Sequence, residues 1–206
     1  MPFIRHIGIV ISSLYLVCLL GCASYSARPL DRITSTIVNR ETEQSILFSH
    51  KVFNKSDCKK YLDRNVIAEG YQPIQITLIN NTKKRLYISK ESFSFPCIDP
   101  QEVAYKVHTN TTKRAVSYGI GGLFIPILFI PAIVDGVGSS RANEQLDRDF
   151  IAKTISNQVV SPYGIINSLI FVPVSCFNHD FTLVVKDFDS DAQFILSTKE
   201  PAVHFC

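Results

Sequence analysis

Several signatures of chemistry are missing from this 206-residue chain. It has no Cys-X-X-Cys pair and no two histidines at helical spacing, which argues against a tetrahedral zinc site. It has no Gly-X-Ser-X-Gly elbow, the strained turn that presents a serine nucleophile in one large hydrolase class. It has no internal repeat, which sets aside solenoids and propellers. Charge of one sign is also scarce: the net charge is +3, too little for nucleic acid without a focused basic patch. The densest basic runs are Lys59-Lys60 and Lys83-Lys84-Arg85, and the second falls at an expected turn, where it reads as a solvated tip. Finally, no charged residue occurs from Ala115 to Val134.

What remains is globular in character. The apolar share is 46% against 19% charged, enough for one domain with a sizeable core. The N-terminus has a different composition. In MPFIRHIGIVISSLYLVCLLGC, Arg5 gives a positive start, and Ile7 to Gly21 is uncharged and too short for a comfortable permanent span. The run ends Leu19-Leu20-Gly21-Cys22, which resembles the lipobox of bacterial lipoproteins: a branched aliphatic, a tolerant position, a small residue, a cysteine. The resemblance covers the first 22 residues and implies a definite chemistry. The Cys22 thiol would take a diacylglyceryl group, and a lipoprotein signal peptidase would cut between Gly21 and Cys22. The new amine would be open to acylation with a palmitate-type chain. Ala23 follows where an Asp would mark inner-membrane retention, so the resemblance favours the outer membrane.

The remaining cysteines fit an oxidising compartment such as the periplasm. Cys18 would leave with the leader and Cys22 would carry lipid, leaving Cys58, Cys97, Cys176 and Cys206, an even number. Strand parity suggests the pairs Cys58–Cys97 and Cys176–Cys206.

Residues 22–45 are rich in Ser, Thr and charge and read as a lipidated N-terminus with a flexible tether. Folding is expected over 46–206 as one domain. ILFSHKVF (46–53) reads as an edge strand, and Ser56 or Asp57 as the cap of a short helix. Ile74, Ile76 and Leu78, a polar turn at Asn80–Lys83, then Leu86 and Ile88 predict a β-hairpin, with a strand-like run at Phe93 and Phe95. Asp99-Pro100 followed by Glu102 predicts a helix start. Ser139 or Ser140 would cap a helix over 139–155, with Ala142, Leu146, Phe150, Ile151 and Ile155 on its apolar stripe. Residues 165–174 predict a strand, and 180–198 a hairpin turning at Asp187–Asp191. The sum is a mainly β (α+β) chain: an immunoglobulin-like β-sandwich with an apolar helical insertion at 99–157 and one amphipathic helix.

Chemistry is thin. Asp187, Asp189 and Asp191 resemble the start of a calcium loop, but Ala192 and Thr198 stand where an EF-hand needs Gly and Glu, so the turn reading wins and no metal or cofactor is expected. His50, His108, His179 and His204 are each solitary in sequence. The uncharged run has spanning length, yet Pro126 and Pro131 interrupt it, and spanning would put its flanking strands on opposite sides of a bilayer. Three placements stay open: packed on the sheets, facing lipid, or spanning. Leu123, Phe124, Ile127, Leu128, Phe129 and Ile130 are the contact candidates. The reading is a lipid-anchored envelope protein with a non-catalytic binding or structural role. Its partners would be the membrane, through the acyl chains, and an envelope protein. The alternative is an envelope hydrolase acting on cell-wall or lipid substrate.

Overall fold

The computed structural model describes residues 24–33, 46–109 and 129–198, the side chains of 129–138 excepted. The chain divides into two compact units, Met1–Ser26 with His108–Arg148, and Ala27–Val107 with Asp149–Cys206. The second unit holds all the strands among the described residues. It is a mixed α+β fold with two antiparallel sheets.

The first sheet has the order β1-β2-β5, from Ile46–Val52, Tyr71–Asn80 and Ile165–Pro173. The second has the order β4-β3-β6-β7, from Gln158–Val160, Leu86–Ile88, Thr182–Asp187 and Gln193–Ser197. Successive side chains on a strand point to opposite faces. One face of each sheet therefore supplies a shared core: Ile46, Phe48, Ile74, Ile76, Leu78, Ile170 and Val172 from the first, Leu86, Ile88, Val160, Leu183, Val185 and Leu196 from the second. Phe93, Phe95 and Phe181 fill the same core, with the Phe95 and Phe181 rings 4.9 Å apart.

The first sheet is covered on its other face too. Leu169 and Phe171 are fully buried there. Three helices do the covering: α1 (Lys55–Leu62), α2 (Pro100–Lys106) and the end of α3 (Phe129–Lys153). Phe150 of α3 stacks on Phe171 at 5.5 Å, Tyr61 of α1 lies 5.3 Å from Phe53, and Glu102 of α2 accepts from Tyr71 Oη at 2.9 Å. Local rules explain where these helices start. Asn54 caps α1 in a reciprocal box with Asp57, and Asp99 caps α2 with Pro100 in the first turn, as expected. The α1 cap is thus Asn54 and not Ser56 or Asp57: Asp57 is the third helical residue and reaches back to the Asn54 amide.

The open edge of β5 is blunted by two passing segments. The Ile98 amide donates to Phe171 O at 2.8 Å and the Ile155 amide to Leu169 O at 2.9 Å. These are the points where the chain leaves the second sheet for α2 and returns from α3. An edge occupied in this way no longer offers a template for another chain.

The expected hairpin of 74–79 with 86–88 does not form. β2 pairs with β1 and β5, while β3 pairs with β4 and β6 in the other sheet. The turn between them is a crossover, fastened by Asn80, which is fully buried. Its side-chain amide donates to Lys84 O at 2.8 Å and Ser161 O at 2.9 Å, and its Oδ1 accepts from the Thr82 amide and hydroxyl at 3.0 and 2.7 Å. Its own amide donates to Gly164 O at 2.9 Å. One residue therefore ties the β2–β3 crossover to the β4–β5 crossover. Gly164 has to be small there, since a Cβ would stand 2.8 Å from Ser161 O. The run at Phe93 makes only a single bridge to Leu183, not a strand. The expected meander of 165–174, 180–187 and 192–198 also fails, because β5 lies in the first sheet and β6 and β7 in the second.

The amphipathic helix is longer than its stripe suggested. α3 begins at Phe129, so Ser139 and Ser140 lie inside it rather than at its cap. Ala142, Leu146 and Phe150 are buried as expected, whereas Ile151 is half-exposed and Ile155 enters the core beyond the helix end. In the first unit, His108 Nε2 meets Asp147 Oδ1 at 2.7 Å, and Asn143 Oδ1 accepts from the Thr109 amide at 2.9 Å. No helix among the described residues is long and apolar enough to cross a membrane.

If Asn80 fastens both crossovers, Asn80→Ala leaves buried carbonyls unpaired and destabilises the protein by roughly 3 kcal/mol. Urea unfolding measures this, and a loss under about 1 kcal/mol would show that the junction holds without it.

Candidate functional site

The feature with the most functional content is one that composition placed in the tether. Residues Ala27–Ile33 have no regular secondary structure, yet they lie seated on the outer face of the first sheet as a strap. The seat is polar. Gln75 and Thr77 of β2 point away from the shared core, and both are buried. Asn167 sits beside them on β5, since Thr77 pairs with Asn167. Asn167 Oδ1 accepts from Gln75 Nε2 at 2.7 Å and Thr77 Oγ1 at 3.0 Å. Gln75 Nε2 also donates to Asp31 O at 2.5 Å, and Asn167 Nδ2 to Leu30 O at 3.3 Å. The strap's backbone carbonyls thus take the amide donors of Gln75 and Asn167 beyond those used within the side-chain cluster itself.

Two further contacts pin the strap to α1. The Arg28 amide donates to Lys60 O at 3.0 Å. Asp31 Oδ2 accepts from Lys60 Nζ at 2.8 Å and Tyr61 Oη at 2.7 Å, and the Lys60 ammonium lies 4.5 Å from the Tyr61 ring centroid. These bonds hold the Asp31 carboxyl below its ordinary pKa, the Lys60 bond foremost, and raise that of Lys60. Both charges are on the surface, so they set register more than stability.

The Asp187–Asp191 turn is a clasp. Asp187 accepts from Ser190 Oγ at 2.7 Å and the Asp189 amide at 3.1 Å, and Lys84 Nζ lies 3.1 Å away. Arg85 makes a two-point pair with Asp189, and its guanidinium sits 4.7 Å from the Phe188 ring centroid. The basic run Lys84-Arg85 is therefore half-exposed and docked on the acidic turn, not a solvated tip. Among the described residues no group of three or more His, Cys, Asp or Glu could hold a metal ion.

The cysteines are free thiols at Cys58, Cys97 and Cys176. The Cys58–Cys97 disulfide is not formed. Its premise was a shared edge at the ends of a hairpin, and β2 and β3 belong to different sheets. Cys97 packs against the shared core, while Cys58 is on the buried face of α1. Burial pushes the Cys58 thiol up to about 11 and the Cys97 thiol up to about 12. Cys176 is exposed, and Cys206 lies outside the described residues. So do Gly21, Cys22, Leu123, Phe124, Ile127, Leu128 and His204; Phe129 and Ile130 are the first residues of α3. His50 stacks beside Phe48, and burial depresses its pKa, with His179 adding to the effect.

Sequence reasoning missed Asp31, Gln75, Thr77 and Asn167. The detectable signal was Asn167 itself, a poor strand former within IINSLIFVP.

Two outcomes follow from the protonation chemistry. Asp187 binds its proton at about 2 in the folded chain and near 3.8 when unfolded, because Ser190, the Asp189 amide and Lys84 favour its charged form. The unfolded chain takes up that proton first, so stability present at neutral pH is lost as pH falls from about 5 towards 2. Asp187→Asn flattens that part of the acid-unfolding profile; an unchanged profile would show that the clasp adds nothing. Separately, iodoacetamide at pH 8 should alkylate Cys176 at least about tenfold faster than Cys58 or Cys97, since exposure and thiolate fraction set the rate. Peptide mass mapping reads the order.

No protein-family model matches the chain, and neither a curated protein nor a solved structure matches it.

Proposed function

We propose that this is a lipid-anchored lipoprotein of the bacterial envelope, favouring the outer membrane, with a non-catalytic binding or structural role at the bilayer. Cys22 would carry the lipid and Gly21–Cys22 would be the cleavage point. The observation that carries the reading is the order of two features along the chain. A lipobox-like Leu19-Leu20-Gly21-Cys22 stands five residues before a segment fixed to the sheet by its backbone. A lipidated cysteine at that position would hold a folded domain, rather than a loose chain end, to a membrane.

We also infer that the β-rich unit is an immunoglobulin-like sandwich. The support is its strand order. In such sandwiches the second strand pairs with the first and the fifth, and the third joins the sixth and seventh in the facing sheet. The orders β1-β2-β5 and β4-β3-β6-β7 follow that scheme, with β4 at the outer edge of β3. Sandwiches of this kind cluster their loops at the two ends, where variable domains bind, and that analogy of fold accords with a binding role.

Mass spectrometry of the N-terminal peptide from the membrane-purified protein tests the anchor. The expected species begins at Cys22 and carries a diacylglyceryl thioether, whereas a bare Cys22 thiol would sink the proposal. Replacing residues 1–22 with a secretory leader cut before Ala23 should release the protein from membranes. Retention after carbonate extraction would mean that the uncharged run 115–134 holds the bilayer by itself.

A further inference from the structure

We propose that the strap Ala27–Ile33 fixes the orientation of the β-rich unit on the membrane, seating the C-terminal end of α1 and the basic residues around it against lipid headgroups. This rests on the lipid anchor at Cys22 proposed above. A flexible tether from Cys22 to β1 would span 24 residues and reach about 85 Å at full extension, leaving the domain free to take any attitude. The seated strap removes most of that freedom. Ala27 is five residues from Cys22, so the lipid root lies within about 18 Å of the strap's start, whatever path the link takes.

The strap also selects which surface is near. Arg28 is bonded through its amide to Lys60 O at 3.0 Å, so the last turn of α1 is tied to the strap near its anchor-side end. Lys59, Lys60 and Arg28 are exposed there. Arg28 makes no ion pair among the described residues, and the Lys60 and Lys59 partners, Asp31 and Asp63, leave the local balance basic. Cations near an anionic leaflet gain from its surface potential, which complements the acyl attachment. The Asn80 end of the sheet, with Lys83 in its crossover, lies at the far end of β2. Gln75, which holds Asp31, stands five residues from Asn80 along β2, so roughly 17 Å of strand separates the strap's seat from that crossover.

The experiment uses the mature, acylated protein in phosphatidylethanolamine–phosphatidylglycerol vesicles containing a headgroup-attached quencher. A fluorophore is placed at Lys59→Cys or Lys83→Cys in a background carrying Cys176→Ser and Cys206→Ser. The expected result is several-fold stronger quenching at position 59 than at 83. That difference should collapse in Asp31→Ala, which unpins the strap without touching the core, and in Gln75→Ala with Asn167→Ala, which removes the seat. Equal quenching of the two probes in the otherwise unchanged protein, or a difference that survives both variants, would overturn the proposal. Limited trypsin digestion reads the strap without lipid: cleavage after Arg32 should be slow in the parent and about tenfold faster in either variant, as for a segment released from a local closed state. Rapid cleavage in the parent would overturn the seating itself. An unacylated N-terminal peptide with slow Arg32 cleavage would instead sink the anchor and the orientation built on it, leaving the seating intact.

Discussion

The fold depends on a single buried amide. Two sheets that share one core must exchange strands, and each exchange takes the chain across the end of the core, where backbone groups lose their ladder partners. Of the three exchanges here, β5–β6 leaves from the opposite end of β5. The other two, β2–β3 and β4–β5, occur at the same corner, and the Asn80 side chain serves both. It donates to carbonyls of the β2–β3 crossover and the β4–β5 turn, while its Oδ1 shapes Thr82 into the first bend. No apolar residue could do this, because the corner's needs are donors and an acceptor. A charged residue would carry a desolvation penalty without the matching set of partners. Once the corner is fixed, the register of β2 against β5 and of β3 against β4 follows, and with it the shared core.

The second constraint is that β2 and β5 are buried on both faces. A strand with two covered faces usually reads as a continuous apolar run. β2 instead alternates, because part of its outer face is covered by backbone rather than by side chains. The helices bury the apolar share of that face through Phe171, and the strap buries the polar share through Gln75, Thr77 and Asn167. A polar seat gives the strap a specific register, since each amide has one carbonyl to find. An apolar seat would have admitted sliding.

This division explains what could be read from the sequence. Alternation located β2 and β3, and strand-like composition between polar turns located β1, β5, β6 and β7, because both report a strand directly. Asp99-Pro100 located α2, because a cap is a local event. Alternation does not name a strand's neighbour. The chemistry of Asn80–Lys83 suits a hairpin as well as a crossover, and only the pairing of β3 with β6 separates them. The disulfide expectation at Cys58 and Cys97 inherited that misreading. Composition likewise could not separate a tether from a strap. A polar segment whose backbone accepts hydrogen bonds looks like one that remains in solvent, and its partners stand 29 or more residues away.

An acidic turn and a basic turn meet at the Asn80 corner. Lys84 and Arg85 leave the crossover, and Asp187 and Asp189 open the β6–β7 turn. Each run alone would repel itself and leave the neighbouring backbone mobile. Docked together, with Phe188 lying under the Arg85 guanidinium, they close the far end of the second sheet. The protein thus has two polar fastenings, the corner with its clasp and the strap with its seat, at separate places on one sheet pair. The first supports the fold itself. The second involves side chains that the inter-sheet core does not use, and in sequence it begins five residues after the chain's proposed point of attachment. Polar side chains buried on a face that the core leaves free need a covering segment to satisfy them. The chain supplies one from the residues that follow the lipobox-like cysteine, so the demand for hydrogen bonds within the sheet also determines how the domain would be held.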